Sequence, residues 1–175
     1  MKILKRIGLV LLVLAVIIGG GGMLLPRHTT CLRSTTINAS PADISAQVTE
    51  LRNWENWSPW HKLDPNMKLE YSTPSAGVGA WYTWAGNDKV GTGKLTVVGA
   101  TPDSTNTLMD FGMGEPGKAT FRFKPEGAAT QVEWQGYFDM GAGPIGRWFG
   151  LFMDGMVGKD FENGLANLKA VSEKK

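Results

Sequence analysis

The residues able to do chemistry are few and scattered. His28, His61 and Cys31 are the only histidines and cysteine in 175 residues. A structural zinc site takes four nitrogen or sulfur ligands, so no metal and no cofactor is expected. A lone Cys31 forms no intrachain disulfide. Acid–base catalysis needs a titratable group held in a pocket with a displaced pKa. Asp110 lies between Met109 and Phe111, and Glu133 between Val132 and Trp134; strand alternation turns each away from its apolar neighbours. Asp154 and Asp160 fall in a helical stretch, where solvation or pairing is the ordinary fate. Tyr71, Tyr82 and Tyr137 are suited to orienting a ligand hydroxyl. There is no G-x-S-x-G, H-E-x-x-H or phosphate-binding glycine loop, and Gly91-Thr92-Gly93 is too short to be one. No catalytic residue is assigned on this inventory.

Aromatic residues offer more. RNWENWSPWHKLDPN, residues 52–66, carries Trp54, Trp57 and Trp60 three apart, on one face of a helical turn. Trp54 and Trp57 are expected to clamp short helices onto a sheet edge. Trp60 and His61 lie next to and beyond Ser58-Pro59, and are expected at a pocket rim or a membrane surface, because indoles favour half-wet sites.

The elements that must position these residues follow from periodicity. CLRSTTINAS, residues 31–40, reads as a first strand. Ser40-Pro41 reads as an N-cap with proline at the first helical position, opening a helix to Leu51. Residues 67–72, 79–86, 89–102, 105–113, 118–127 and 129–140 alternate as six strands, punctuated by Asn87-Asp88, Pro102-Asp103, Glu115-Pro116-Gly117 and Pro125-Glu126-Gly127. After Gly143-Pro144 a helix begins. Ile145, Trp148, Phe149, Phe152, Met153 and Met156 form an apolar stripe, which Phe161, Leu165, Leu168 and Val171 are expected to continue. The fold class is α+β, a helix laid across a curved antiparallel sheet with a hollow between them.

That hollow has candidate walls. Either Trp84 with Tyr82 or Trp81 with Thr83 faces in, depending on register. Phe111 shares parity with Met109 and Met113, Phe121 with Phe123, and Val132 with Trp134 and Phe138. The last helix adds Trp148, Phe149, Phe152, Met153 and Met156. Such walls suit an apolar or aromatic small molecule, and methionines refit around different shapes. The same side chains would equally fill a solid core, and apolar faces alone do not separate the two.

The N-terminus reads KILKR, then 19 uncharged residues, 7–25. A bilayer-spanning helix needs about 20. A cleaved signal peptide would end its apolar core at small residues of the A-x-A kind; here four glycines precede Met23-Leu24-Leu25. The pattern favours an uncleaved anchor over a signal sequence for residues 1–25, with one domain over residues 26–175. Lys2, Lys5 and Arg6 before the span, against Arg27 and Arg33 after it, place the N-terminus in the cytoplasm and the domain on the extracytoplasmic (periplasmic) side of a single-pass membrane protein. Without those first three cations, 15 basic and 16 acidic residues remain, so nucleic acid is not an expected partner.

Taken together, TTINASPADISAQVTELRNWENWSPW, the GVGAWYTWAGN and GTGKLTV pair, FRFKPEGAATQVEW and GLFMDGMVGKDFENGLANLKAV resemble the START-like (SRPBCC) superfamily, and within it the bacterial polyketide cyclase/dehydrase family. The resemblance spans nearly all of residues 30–172. It implies a helix-grip fold, with seven antiparallel strands wrapped around a long C-terminal helix and two short helices after the first strand. It also implies a ligand pocket, with no shared catalytic residues to carry over. The expected function is a membrane-tethered domain binding a hydrophobic small molecule: a lipid, a quinone or a polyketide-like aromatic. The alternatives are a cyclase/dehydratase-type enzyme and an interaction domain for another membrane protein.

Overall fold

The computed structural model describes residues 2–112 and 114–174, with a helix at each end of the described chain. α1 (Lys2–Val16) runs through a π-helical turn (Ile17–Gly21) into α2 (Gly22–Leu24). Within it, the 20 residues Lys5–Leu24 make a helix long and apolar enough to cross a membrane.

β1 (His28–Ile37) starts three residues before the stretch expected from the sequence. Its partner β7 (Ala129–Asp139) sets that start, pairing from His28↔Asp139 to Ile37↔Thr130. Ser40 then caps α3 (Pro41–Thr49), its Oγ accepting a hydrogen bond from the Asp43 amide at 3.2 Å. A 3₁₀ turn (Leu51–Asn53) leads into α4 (Trp54–Trp57). Pro59, having no N–H, ends that run and opens α5 (Pro59–Leu63) as its first residue.

The remaining strands are β2 (Lys68–Tyr71), β3 (Trp81–Ala85), β4 (Thr92–Thr101), β5 (Ser104–Asp110) and β6 (Gly117–Glu126). With β1 and β7 they form one antiparallel sheet in the order β1-β7-β6-β5-β4-β3-β2. A bulge between Val97 and Gly99 interrupts the β4–β5 register. α6 (Pro144–Ser172) closes the chain. This is the seven-stranded, long-helix arrangement expected from the sequence.

Register decides which residues form the core. Tyr82 and Trp84 are buried, whereas Trp81 faces out under the Lys94 ammonium, 4.6 Å from its ring. Leu95, Val97, Phe121, Phe123, Val132 and Trp134 complete the inner face of the sheet. Arg33 on β1 grips α6, with Nε 2.7 Å from Glu162 Oε1 and Nη1 2.9 Å from Asp154 Oδ1. The two carboxylates flank Gly158 at four-residue steps along one helix face. The guanidinium lies directly against Gly158, where a Cβ would collide with it.

The stripe expected along α6 does not run through. Phe161, Leu165 and Leu168 are buried, but Ile145, Phe149, Phe152 and Met156 are exposed. Phe152 and Phe161 are nine positions apart, about two and a half helical turns, which puts them on opposite sides.

Candidate functional site

Trp134 is the centre from which the site is built. Its ring stacks on Phe161 of α6, with centroids 4.0 Å apart and planes 6° apart, and on Phe121 of the neighbouring strand at 4.7 Å. Trp54, Trp57 and Trp60 present edges to it at 5.9–6.3 Å. Trp54 and Trp57 are held by α3, their indole N–H groups donating to the Val48 and Gln47 carbonyls at 2.8 and 3.0 Å. Asn167 of α6 donates to the Trp57 carbonyl at 3.0 Å and accepts from Lys62 at 2.6 Å, tying the short helices to the long one.

Beside this cluster, between sheet and helix, lies a cavity of about 180 Å³. Trp54, Trp60, Met67, Tyr82, Trp84 and Met109 give it a largely apolar wall, completed by Ala119, Trp134, Phe138, Val157 and Phe161. Phe111, Lys89 and Lys118 line it as well and are exposed, so they form its mouth. The volume compares with cavities that admit one benzene ring, of about 150 Å³, and falls below the roughly 300–1,000 Å³ of drug-sized sites.

Polar groups in this wall are few. Ser58 Oγ, Thr107 Oγ1 and Trp134 Nε1 are buried and have no hydrogen-bond partner among the described residues. By contrast, the Trp84 N–H donates to the Val90 carbonyl at 3.0 Å. Burial raises the Tyr82 hydroxyl pKa above its ordinary value. Asp160 also lines the cavity, and desolvation raises its carboxyl pKa, with the Trp60 side chain partly opposing the shift.

The sequence-expected wall residues divide sharply. Trp84, Phe111, Trp134 and Phe138 are brought together around the cavity, and Trp60, expected at its rim, stands in its wall against Trp134. Phe121 and Phe123 are buried in the solid core instead, deeper along β6 than Ala119, the residue of their parity that lines the cavity. Trp148 packs on the N-terminal helix, its N–H donating to the Ile18 carbonyl at 3.0 Å. Phe149, Phe152 and Met156 point to the outside, for the reason of helix phase given above, whereas Met153 shares the face of Val157 and Asp160 and is half-buried one to two turns before them, short of the cavity. His61 is not at the rim. It follows Trp60 by about 100° of helical rotation, so turning Trp60 inward turns His61 away; both its ring nitrogens are buried without partners among the described residues, and desolvation lowers its pKa. Met113, expected on the Phe111 face, lies outside the described residues.

Sequence reasoning missed Asp160, Ser58, Thr107, Met67 and Val157. Thr107 was findable, since it shares the parity of Met109 on β5, which Phe111 continues just past the strand's end. Ser58 and Asp160 carried no signal, because only the packing of α5 and α6 aims them inward. Asp154 pairs with Arg33, and Glu133 lies on the outer face 3.9 Å from Arg122.

Residues 29–173 match the model of a family described as polyketide cyclase / dehydrase and lipid transport. The chain belongs to that family. No curated protein matches the sequence. Solved structures share the fold of this polyketide cyclase / dehydrase and lipid transport member at low identity. A protein of unknown function from Staphylococcus aureus superposes with a TM-score of 0.63 at 10% identity, over 83% of this chain and 94% of its own. The KanY protein gives 0.61 at 19% identity, over 84% and 99%. The Aha1 dimer from Colwellia psychrerythraea gives 0.56 at 16%, over 84% and 98%. The family match accounts for the hydrophobic-ligand-binding architecture of the sheet and helix.

Proposed function

We propose that this chain is a membrane-tethered member of the family that binds a small, ring-bearing, oxygen-containing hydrophobic molecule in the cavity beside Trp134. One observation carries the proposal: Ser58, Thr107 and Trp134 line an apolar cavity, and each has a buried polar atom with no partner among the described residues. A buried donor left unsatisfied costs about 1–3 kcal/mol, so a ligand supplying a carbonyl or hydroxyl oxygen gains both hydrogen bonds and apolar burial. The cavity size favours a quinone or phenolic head of one or two rings over a whole phospholipid or a multi-ring polyketide; a longer ligand would extend past Phe111, Lys89 and Lys118 at the mouth. The apolar helix Lys5–Leu24 supports the tether, and the cations before it support an extracytoplasmic domain.

Native mass spectrometry of the full-length chain released from non-ionic detergent tests this proposal. A stoichiometric small-molecule adduct, shown by denaturing analysis to contain a ring and an oxygen, is expected. A bare mass, persisting after incubation with a membrane lipid extract, would overturn it.

Acid–base catalysis of the cyclase or dehydratase type would rest on Asp160, the one carboxyl lining the cavity among the described residues, whose raised pKa suits proton transfer. Turnover lost in Asp160→Asn with ligand binding retained would establish it.

A further inference from the structure

Ile145, Phe149, Phe152 and Met156 leave α6 on one side at steps of four, three and four residues, and are 75%, 51%, 63% and 55% exposed. Large apolar side chains in a contiguous stripe mark an interaction surface. What covers this one is indicated by its neighbour. The first turn of α6 lies against the last turns of the N-terminal apolar helix. Trp148 donates to the Ile18 carbonyl at 3.0 Å, and Arg147 Nη1 to the Met23 and Leu25 carbonyls at 2.8 and 3.3 Å. Gly22 sits so close to Pro144 that a Cβ there would come within 2.6 Å of the proline ring.

Whatever medium surrounds residues 18–25 therefore surrounds the start of α6. We propose that the first half of α6 lies on the lipid bilayer, with Ile145, Phe149, Phe152 and Met156 in the headgroup–acyl boundary. This rests on the tether proposed above. An interfacial helix buries one apolar face about 5–10 Å into that boundary, and the Trp148 and Arg147 side chains are of the kinds that anchor there. Met156 stands one turn before Asp160, and Val157, Asp160 and Phe161 line the cavity. The stripe thus runs from the membrane helix to the cavity wall, and a hydrophobic ligand has a path between bilayer and pocket that avoids bulk water.

The test uses full-length protein in phosphatidylcholine–phosphatidylglycerol vesicles, with a fluorophore on one introduced cysteine at a time and spin-labelled lipid as quencher. Cys31 is 1% exposed and stays in place. Phe152→Cys reports the α6 stripe, Leu11→Cys the membrane helix, and Val98→Cys, exposed on β4, the aqueous side. The Phe152 and Leu11 labels are expected to be quenched severalfold more than the Val98 label. Quenching at Leu11 but only the Val98 level at Phe152 would overturn the bilayer contact while leaving the tether standing, and would assign the stripe to a protein partner. Quenching at neither Leu11 nor Phe152 would overturn the tether and this inference with it.

Discussion

The Trp134 ring of β7 and the Phe161 ring of α6 lie face to face, 4.0 Å between centroids and 6° between planes. The stack couples strand register to helix phase, because neither ring can move without displacing its element. It also directs the indole N–H of Trp134 to a site with no protein acceptor among the described residues. An aromatic pair of this kind contributes about 0.5–1.5 kcal/mol beyond its buried area.

Trp134 should therefore separate stability from binding. Trp134→Ala is expected to lose about 3–5 kcal/mol in urea unfolding, the usual range for removing a buried tryptophan ring. Trp134→Phe keeps an aromatic face and deletes an unpaired donor, so it should lose clearly less stability than Trp134→Ala. Naphthol, titrated by fluorescence as a ring-plus-hydroxyl probe, should nevertheless bind Trp134→Phe several times more weakly.

Two glycines of α6 should respond oppositely to alanine. A Cβ at Gly164 would stand 2.6 Å from Trp134 Cζ3, and that ring is pinned between Phe121 and Phe161. Gly164→Ala should lose about 1–3 kcal/mol from overpacking, more than the helix-propensity gain of about 1 kcal/mol. Gly155 meets nothing within 4 Å, so Gly155→Ala should gain about 0.5–1 kcal/mol. Urea midpoints of the two variants check both signs.

Cys31 is buried beneath the β1–α6 contact, and desolvation pushes its thiol up to about 11. The thiolate is the reactive form. At pH 8 a thiol reagent should leave the native protein unmodified and react on unfolding. Replacing Arg33, which joins β1 to Asp154 and Glu162, should speed labelling of the native state.

Acid should loosen the junction between the N-terminal helix and the sheet. Arg27 Nη2 lies 2.7 Å from Asp139 Oδ2, and this hydrogen bond, with one from the Gly141 amide, lowers the Asp139 carboxyl from 3.8 to about 2. The folded pKa is depressed, so its stabilising contribution is fully present above about pH 4 and is lost as pH falls through about 2. The unfolding midpoint of the parent should fall across that window, and Asp139→Asn should remove part of the fall.

Much of the fold was legible locally. The six alternating stretches, the first strand, the Ser40-Pro41 cap and the apolar N-terminal span all express patterns that neighbouring residues enforce within one element. Parity on β7 correctly grouped Val132, Trp134 and Phe138, because every second residue of a strand shares a face. The cavity wall was legible mainly where a strand supplied it, with Trp60 of α5 the helical exception.

The helix-borne half was not. Ile145, Phe149, Phe152 and Met156 carry as good an apolar period as Phe161, Leu165 and Leu168, and period alone does not say which face meets the sheet. Arg33 reaching Asp154 and Glu162 across more than 100 residues of chain, and Trp134 meeting Phe161, settle that phase. The inward aim of Ser58 and Asp160 is decided the same way, by the packing of α5 and α6. The sequence by itself determined which segments form strands and helices, since hydrogen-bonding period and turn chemistry are local. Only the tertiary structure decided which apolar face is core, which lines the cavity and which is left outside, since those are properties of contacts between elements.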